Sequence, residues 1–102
     1  MTRTKDIFKF TAMFVAVCCD LSSSDHEKNV AALLKQYGFS RAQEHVYEHT
    51  AINEEYVKRL KRDIDRLTDS YDAVRIYQYP MEETLQISTL KDKKWRKLIV
   101  RT

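Results

Sequence analysis

Hydrophobic and polar positions along the chain follow two periods, and each change of period marks a new element. The first element lies within residues 7–19 and is strongest from Ala12 to Cys19, a run rich in β-branched and aromatic residues. Its composition and short length predict a strand. Apolar side chains alternate onto both faces, so this strand needs a cover on each side. Asp20 follows directly and ends the run with a carboxylate.

Two segments have the 3.6-residue period of amphipathic helices. The first has a capping box at Ser24 and Glu27 and ends at Gly38, where a helix terminus uses positive φ. Its apolar face consists of Val30, Leu33, Leu34 and Tyr37. The second begins at Asn53 and ends near Asp69 and Ser70. Its apolar stripe consists of Val57, Leu60, Ile64 and Leu67.

Four more segments have the alternation of strands. They are Ser40–Thr50, Ala73–Pro80, Thr84–Leu90 and Trp95–Val100. If Ser40–Thr50 is one strand, the order is β-α-β-α-β-β-β, which predicts an α+β fold with an antiparallel sheet and two helices on one face. The ferredoxin-like plan, βαββαβ, needs two strands between the helices, and the pattern alone does not decide between the two.

Composition and charge restrict the class of protein. The 102 residues point to one domain, 1–102, with residues 1–12 as an N-terminal extension and residues 91–102 as a basic C-terminal strand or tail. With 43% hydrophobic and 32% charged residues, the chain has a globular composition. The net charge of +3 permits contact with nucleic acid without requiring it. The single glycine excludes a glycine-rich phosphate loop.

The cysteines and apolar runs indicate a cytoplasmic location. Cys18 and Cys19 are neighbours on a strand, point to opposite faces and are poorly placed to bond each other. Two such thiols suit a reducing cytoplasm, where the simplest interpretation is two small buried hydrophobic side chains. No apolar run approaches the roughly 18 residues of a membrane span, and no signal peptide is convincing.

Several polar groups are candidates for chemistry. Asp20 is either a solvated strand-end carboxylate or a metal ligand. The spacing of His26, His45 and His49 does not make a compact metal site. Residues 91–97 place Trp95 among five cations, which suits either contact with a nucleic-acid backbone or an edge strand protected by lysine. The candidates in this segment are Lys93, Lys94 and Arg96.

Three pieces of the sequence, in order, resemble a known family. They are the strand FVAVCCDL that contains Asp20, the run from Arg41 to Glu48 after Gly38, and DAVRIY from Asp72. Together they resemble the small CRISPR-associated endonucleases, the second of the two core adaptation proteins, over roughly residues 13–90. Cys19 and His45 stand where many members have Tyr and Ser.

The resemblance implies a ferredoxin-like sandwich in which the strand between the helices bends into two, and a homodimer formed through the sheets. It also implies either a metal-dependent endonuclease acting on RNA or DNA during spacer acquisition with the integrase subunit, or a non-catalytic scaffold that binds duplex DNA and the integrase. A VapD-like toxin ribonuclease is a weaker alternative. In the family pattern, Asp20 is the catalytic residue and ligand of Mg²⁺ or Mn²⁺, and Arg41 and Tyr47 bind nucleic acid.

Overall fold

Six antiparallel strands and two helices make up most of residues 12–81 and 83–101, the part of the chain that the computed structural model describes. In chain order the elements are β1 (Met13–Asp20), α1 (Ser24–Gln36), β2 (Ser40–Gln43), β3 (Val46–Ile52), α2 (Glu54–Leu67), β4 (Ala73–Met81), β5 (Thr84–Lys91) and β6 (Lys94–Arg101). The strand order in the sheet is β2-β3-β1-β4-β5-β6. The first six elements are the ferredoxin-like βαββαβ unit, and β5 and β6 extend its sheet beyond β4. The predicted fold class is confirmed.

The interpretation of Ser40–Thr50 as one strand is wrong. The segment is a hairpin in which β2 and β3 pair antiparallel across a turn at Glu44 and His45. His45 adopts a φ of 66°, a left-handed conformation that turns usually give to Gly or Asn. Because neither residue type occurs in this turn, the alternation runs through the hairpin unbroken and hides it.

The helix boundaries follow the capping chemistry closely. Asn53 caps α2 as predicted, since its side chain accepts a hydrogen bond of 3.0 Å from the Tyr56 amide. The cap of α1 is Ser23 rather than the predicted Ser24, and its hydroxyl accepts from the His26 amide at 3.1 Å. Gly38 ends the first helical segment with a φ of 89°, as the sequence predicts.

The core lies between one sheet face and the two helices. Alternate residues of β1 are buried there, namely Met13, Val15, Val17 and Cys19. The helices contribute Val30 and Leu34 from α1 and Val57, Leu60 and Ile64 from α2. Neither of the two described helices lies over the other face of β1, where Phe14, Ala16 and Cys18 are only half-buried. We call the sheet face that carries these three residues the open face.

Of the two terminal segments predicted from the sequence, only the C-terminal one lies largely within the described residues. The predicted N-terminal extension lies outside the described residues, except for Ala12. The predicted basic C-terminal strand is β6, which pairs with β5 along its whole length. No helix within residues 12–81 and 83–101 is long and apolar enough to cross a membrane.

Candidate functional site

Strand register places Asp20 at one end of the open face. Asp20 is the last residue of β1, is exposed, and pairs with Ala73 on β4. It shares its face with Cys18 because side chains two residues apart on a strand point the same way. A cleft of about 510 Å³ opens beside it, with Arg75, Thr89 and Lys91 also in its lining. Asp20 is therefore a solvent-accessible carboxylate in a concave surface.

The open face is basic near Asp20. Cross-strand pairing runs from Cys18 through Arg75 and Thr89 to Arg96. The next row runs from Asp20 through Ala73 and Lys91 to Lys94 in the same way. Of the cations predicted to bind nucleic acid, Lys94 and Arg96 thus lie on the same face as Asp20. Arg75 and Lys91 join them here and were missed as site residues, because only the register shows which face they occupy.

Farther along the strands, the open face becomes apolar. Phe14 pairs with Tyr79, and their ring centroids are 6.1 Å apart. Tyr77 pairs with Ile87, which in turn pairs with Leu98 on β6. Tyr79 is 50% exposed and Leu98 is 58% exposed. Exposed aromatic and aliphatic side chains contiguous on one sheet face are typical of an interaction surface.

Lys93 does not project freely toward a ligand. It lies in the β5–β6 turn, and its amine is 3.0 Å from a carboxylate oxygen of Asp65. The amine also donates to the backbone carbonyls of Asp65 and Thr68, at the C-terminal end of α2. A cation is stabilised there because the last carbonyls of a helix carry partial negative charge. The amine of Lys93 thus caps α2.

Arg41 and Tyr47 lie on the sheet face opposite to Asp20. They are cross-strand partners on β2 and β3, and Tyr47 packs against the hydrophobic core. Together with Cys19, Glu27 and Lys28 they line a second cleft, of about 200 Å³. His45 lines both this cleft and that of Asp20, because it lies in the turn at the end of the sheet. One chain does not bring Arg41 and Tyr47 onto the face of Asp20.

Asp72 holds together the loops at the Asp20 end of the sheet. Its carboxylate accepts from the Ser22 amide at 2.7 Å, the Ser22 hydroxyl at 2.8 Å, the Asp69 amide at 2.8 Å and His26 Nδ1 at 2.8 Å. Burial by itself would raise the pKa of Asp72, which is 1% exposed. The hydrogen bonds from Ser22, Asp69 and His26 outweigh burial and lower the pKa to about 2. Asp72 thereby fixes the loop that follows Asp20.

Ligand atoms of His26, Asp69 and Asp72 lie within 4.8 Å of one another, which resembles a metal cluster. Both oxygens of Asp72 already accept hydrogen bonds, however, and Asp69 Oδ1 accepts from the Tyr71 amide at 2.8 Å. These hydrogen bonds explain why the three residues lie close together, since they hold the loop in place. Of the other histidines, His49 packs edge-on against Phe39.

Comparison with known proteins agrees with this architecture. The family model described as CRISPR associated protein Cas2 matches residues 13–87 of the chain. The chain belongs to the Cas2 family. The resemblance stated from the sequence is therefore confirmed.

A solved structure is similar to this Cas2 chain as well. It is the crystal structure of a hypothetical protein from Thermus thermophilus, with 32% sequence identity and a TM-score of 0.60. The match covers 72% of this chain and 85% of that one. No curated protein gives a significant match.

The extent of the Cas2 match divides the candidate residues into two groups. Asp20, Arg41, Tyr47 and Arg75 lie inside the matched residues 13–87. Lys91, Lys93, Lys94 and Arg96 lie beyond them, at the β5–β6 turn and on β6. The basic row across β5 and β6 therefore belongs to the part of the chain outside the family match.

Proposed function

We propose that two copies of this chain pack through their open faces and that their Asp20 carboxylates together hold one divalent ion for phosphodiester cleavage of RNA or DNA. In this proposal the protein is a CRISPR-associated, metal-dependent endonuclease that takes part in spacer acquisition with the integrase subunit. The observation that carries it is the open face, where an apolar surface is continuous with a cleft that contains Asp20.

The apolar part of the open face supports the dimer. Val15 and Val17 are fully buried under the helices, whereas Phe14 and Ala16 on the same strand are only half-buried. Burying apolar surface contributes roughly 25 cal/mol per Å², so a sheet face of this composition that the described residues leave uncovered favours association. A second copy of the open face supplies the matching apolar cover, since a twofold interface joins the same patch on both subunits.

The donor set fits Mg²⁺ or Mn²⁺ only when two chains contribute. In one chain Asp20 offers an exposed carboxylate, while the carboxylate of Asp72 in the same cleft is occupied by hydrogen bonds. Mg²⁺ binds through one or two carboxylates and keeps several waters, which a pair of Asp20 side chains would allow. An ion held there would lower the pKa of a coordinated water, so that the hydroxide that attacks a phosphodiester would form more readily.

The cations of the open face support contact with a phosphate backbone. Arg75 and Lys91 line the cleft of Asp20, and Lys94 and Arg96 continue the same rows on β6. Such residues neutralise phosphates and position a nucleic acid without reading its sequence. Their role in the proposed reaction is to bind the backbone beside Asp20.

The second candidate function is a non-catalytic scaffold that binds duplex DNA and the integrase subunit as a dimer. The observation that favours it is the same row of cations, which needs no metal ion to bind a duplex. In this case Asp20 is a solvated strand-end carboxylate, and its charge has no part in binding.

Cleavage and binding measured on the same variant separate the two functions. Asp20→Asn preserves the size of the side chain and removes its charge. The endonuclease proposal predicts that wild-type protein cleaves RNA or DNA with Mg²⁺ or Mn²⁺, and that the variant or a chelator abolishes cleavage. Wild-type protein that cleaves neither substrate over a broad pH range refutes the endonuclease proposal. Duplex binding that is equal in wild type and variant then supports the scaffold.

The matched control is Asp92→Asn, which removes one charge from the exposed β5–β6 turn instead of the cleft. Asp92 has a φ of 53°, a conformation that asparagine adopts readily, so this variant keeps the fold. Cleavage by the control at the wild-type rate excludes a general effect of net charge.

A further inference from the structure

A third cleft lies on the helix side of the sheet, away from the open face. It is bounded by α1, β3 and α2, and its volume of about 620 Å³ exceeds that of the cleft beside Asp20. A cavity of this size is large enough to bind a small molecule. Its polar and aromatic lining includes Tyr37 from α1, His49 from β3, and Tyr56, Arg59 and Asp63 from α2.

Arg59 supplies a cation whose hydrogen-bond donors are available at this cleft. Its guanidinium lies 5.5 Å from the ring centroid of Tyr56, three residues earlier on α2. A guanidinium that lies over a ring keeps its N–H groups free to donate in its own plane. No carboxylate within residues 12–81 and 83–101 forms an ion pair with Arg59. Its charge and its fork of donors are therefore open to an anionic ligand.

Neighbouring arginines make this side of α2 positive. Arg62 and Arg66 follow Arg59 at intervals of three and four residues, so the three share one helix face. The carboxylate of Asp63 is already engaged, since it accepts from the Tyr37 hydroxyl at 2.6 Å and lies 3.6 Å from the Arg66 guanidinium. An anion that enters the cleft thus meets the free cation of Arg59 rather than a free carboxylate.

His49 adds a hydrogen-bond donor in a fixed position. Its cross-strand partner Val15 is buried under the helices, so the imidazole lies on the helix side of the sheet. The ring packs edge-on against Phe39, and Nδ1 accepts from the Ala51 amide at 3.0 Å. Because Nδ1 uses its lone pair, the proton of the neutral ring is on Nε2. Gly38 leaves Nε2 uncovered, since a Cβ there would lie 2.8 Å from it.

These groups match a ligand that joins a flat base to a phosphate. Guanidinium donors bind phosphate oxygens, and a base packs on the ring of a tyrosine. Tyr56 is 50% exposed, so part of its ring surface is free. Gln36 also lines the cleft, and its amide both donates and accepts, as the edge of a base requires.

We propose that the cleft between α1, β3 and α2 binds a nucleotide that carries a terminal phosphate. Arg59 binds the phosphate, the ring of Tyr56 packs on the base, and Nε2 of His49 donates to an oxygen of the ligand. This site lies on the opposite side of the sheet from Asp20, and it needs neither a metal ion nor a second chain.

Isothermal titration calorimetry of the full chain with adenosine 5′-monophosphate tests the proposal. We expect saturable binding with a Kd between about 10 μM and 1 mM, as suits a small ligand in an open cleft. Adenosine, which lacks the phosphate, and phenyl phosphate, which lacks the base, should each bind about tenfold more weakly. No saturable binding up to about 5 mM, or phenyl phosphate that binds as tightly as the nucleotide, overturns the proposal.

Variants of three exposed side chains on α2 locate the ligand without disturbing the core. Arg59→Gln removes the phosphate donors and should raise the Kd for adenosine 5′-monophosphate about tenfold. Tyr56→Leu keeps an apolar side chain but removes the ring, and should raise the Kd about fivefold. The control is Lys58→Gln, which removes one charge outside the cleft and should change the Kd less than about twofold. If Arg59→Gln or Tyr56→Leu changes the Kd no more than the control does, the proposal is wrong.

Competition experiments distinguish the source of the ligand. A 5′-phosphorylated tetranucleotide that displaces adenosine 5′-monophosphate shows that the cleft accepts the end of a strand, whereas one that fails to displace it shows that the cleft takes a free nucleotide. Both results support a nucleotide site. Inorganic phosphate that displaces the nucleotide at equal concentration shows a site for the anion alone and overturns the proposal. None of these measurements depends on nuclease activity or on dimer formation.

Discussion

Replacing the buried carboxylate of Asp72 by an amide should destabilise the fold and loosen the loop after Asp20. In Asp72→Asn the new NH₂ group faces hydrogen-bond donors where Asp72 accepted from the Asp69 amide and His26. An unsatisfied buried donor costs about 1–3 kcal/mol, and the lost charge weakens the bonds from Ser22. We expect the free energy of unfolding at pH 7 to fall by about 2–4 kcal/mol.

The pH dependence of stability gives a second estimate of how much the Asp72 carboxylate contributes to the free energy of unfolding. The folded-state pKa of Asp72 is about 2, below the ordinary value of 3.8, so its stabilising effect is present above pH 3.8 and is lost as the pH falls through 2. The difference corresponds to about 2 kcal/mol near neutral pH and about 1 kcal/mol at pH 3. The gap in stability between wild type and Asp72→Asn should therefore narrow in acid.

Urea denaturation followed by circular dichroism measures the free energy of unfolding of wild type and variant at pH 7 and at pH 3. Asp92→Asn is the control for the loss of one exposed carboxylate. The control should stay within about 0.5 kcal/mol of wild type. An Asp72→Asn variant as stable as the control at pH 7, or a gap that widens at pH 3, refutes the reasoning.

Three further outcomes follow from the same structure. Gly38→Ala should lower stability by about 1–3 kcal/mol in thermal denaturation, because φ is 89° and a Cβ would lie 2.8 Å from His49 Nε2; an unchanged melting temperature contradicts this. Lys93→Met should lower the free energy of unfolding by about 1–2 kcal/mol, because the amine of Lys93 caps α2. Lys94→Met should weaken nucleic-acid binding and leave the stability unchanged. Affinity for RNA or DNA should fall steeply with salt in fluorescence anisotropy titrations, and a flat salt dependence argues against phosphate contacts.

Local chemistry explains why the helices and most strands could be predicted from the sequence. Asn53 and Gly38 act at helix ends through their own side chain or backbone freedom, so single residues carry the signal. The β2–β3 hairpin carried no such signal, because His45 takes a left-handed conformation that its residue type rarely indicates. The family resemblance supplied this hairpin where the pattern did not.

The candidate site depended more on pairing than on pattern. Asp20 was visible as a carboxylate at the end of an apolar run, but Arg75 joins its face only through the register between β1 and β4. Lys93 has the sequence context of a solvated cation, yet the β5–β6 turn brings its amine to the end of α2. Contacts between residues distant in sequence decide both cases, and periodicity does not contain them.

The number of Mn²⁺ ions bound per chain, measured by electron paramagnetic resonance on protein whose oligomeric state is known, tests the central claim most directly. The account predicts a dimer in sedimentation that binds one ion per two chains, and Asp20→Asn should remain dimeric while losing that ion. One ion per chain, or binding that is unchanged in Asp20→Asn, contradicts the account.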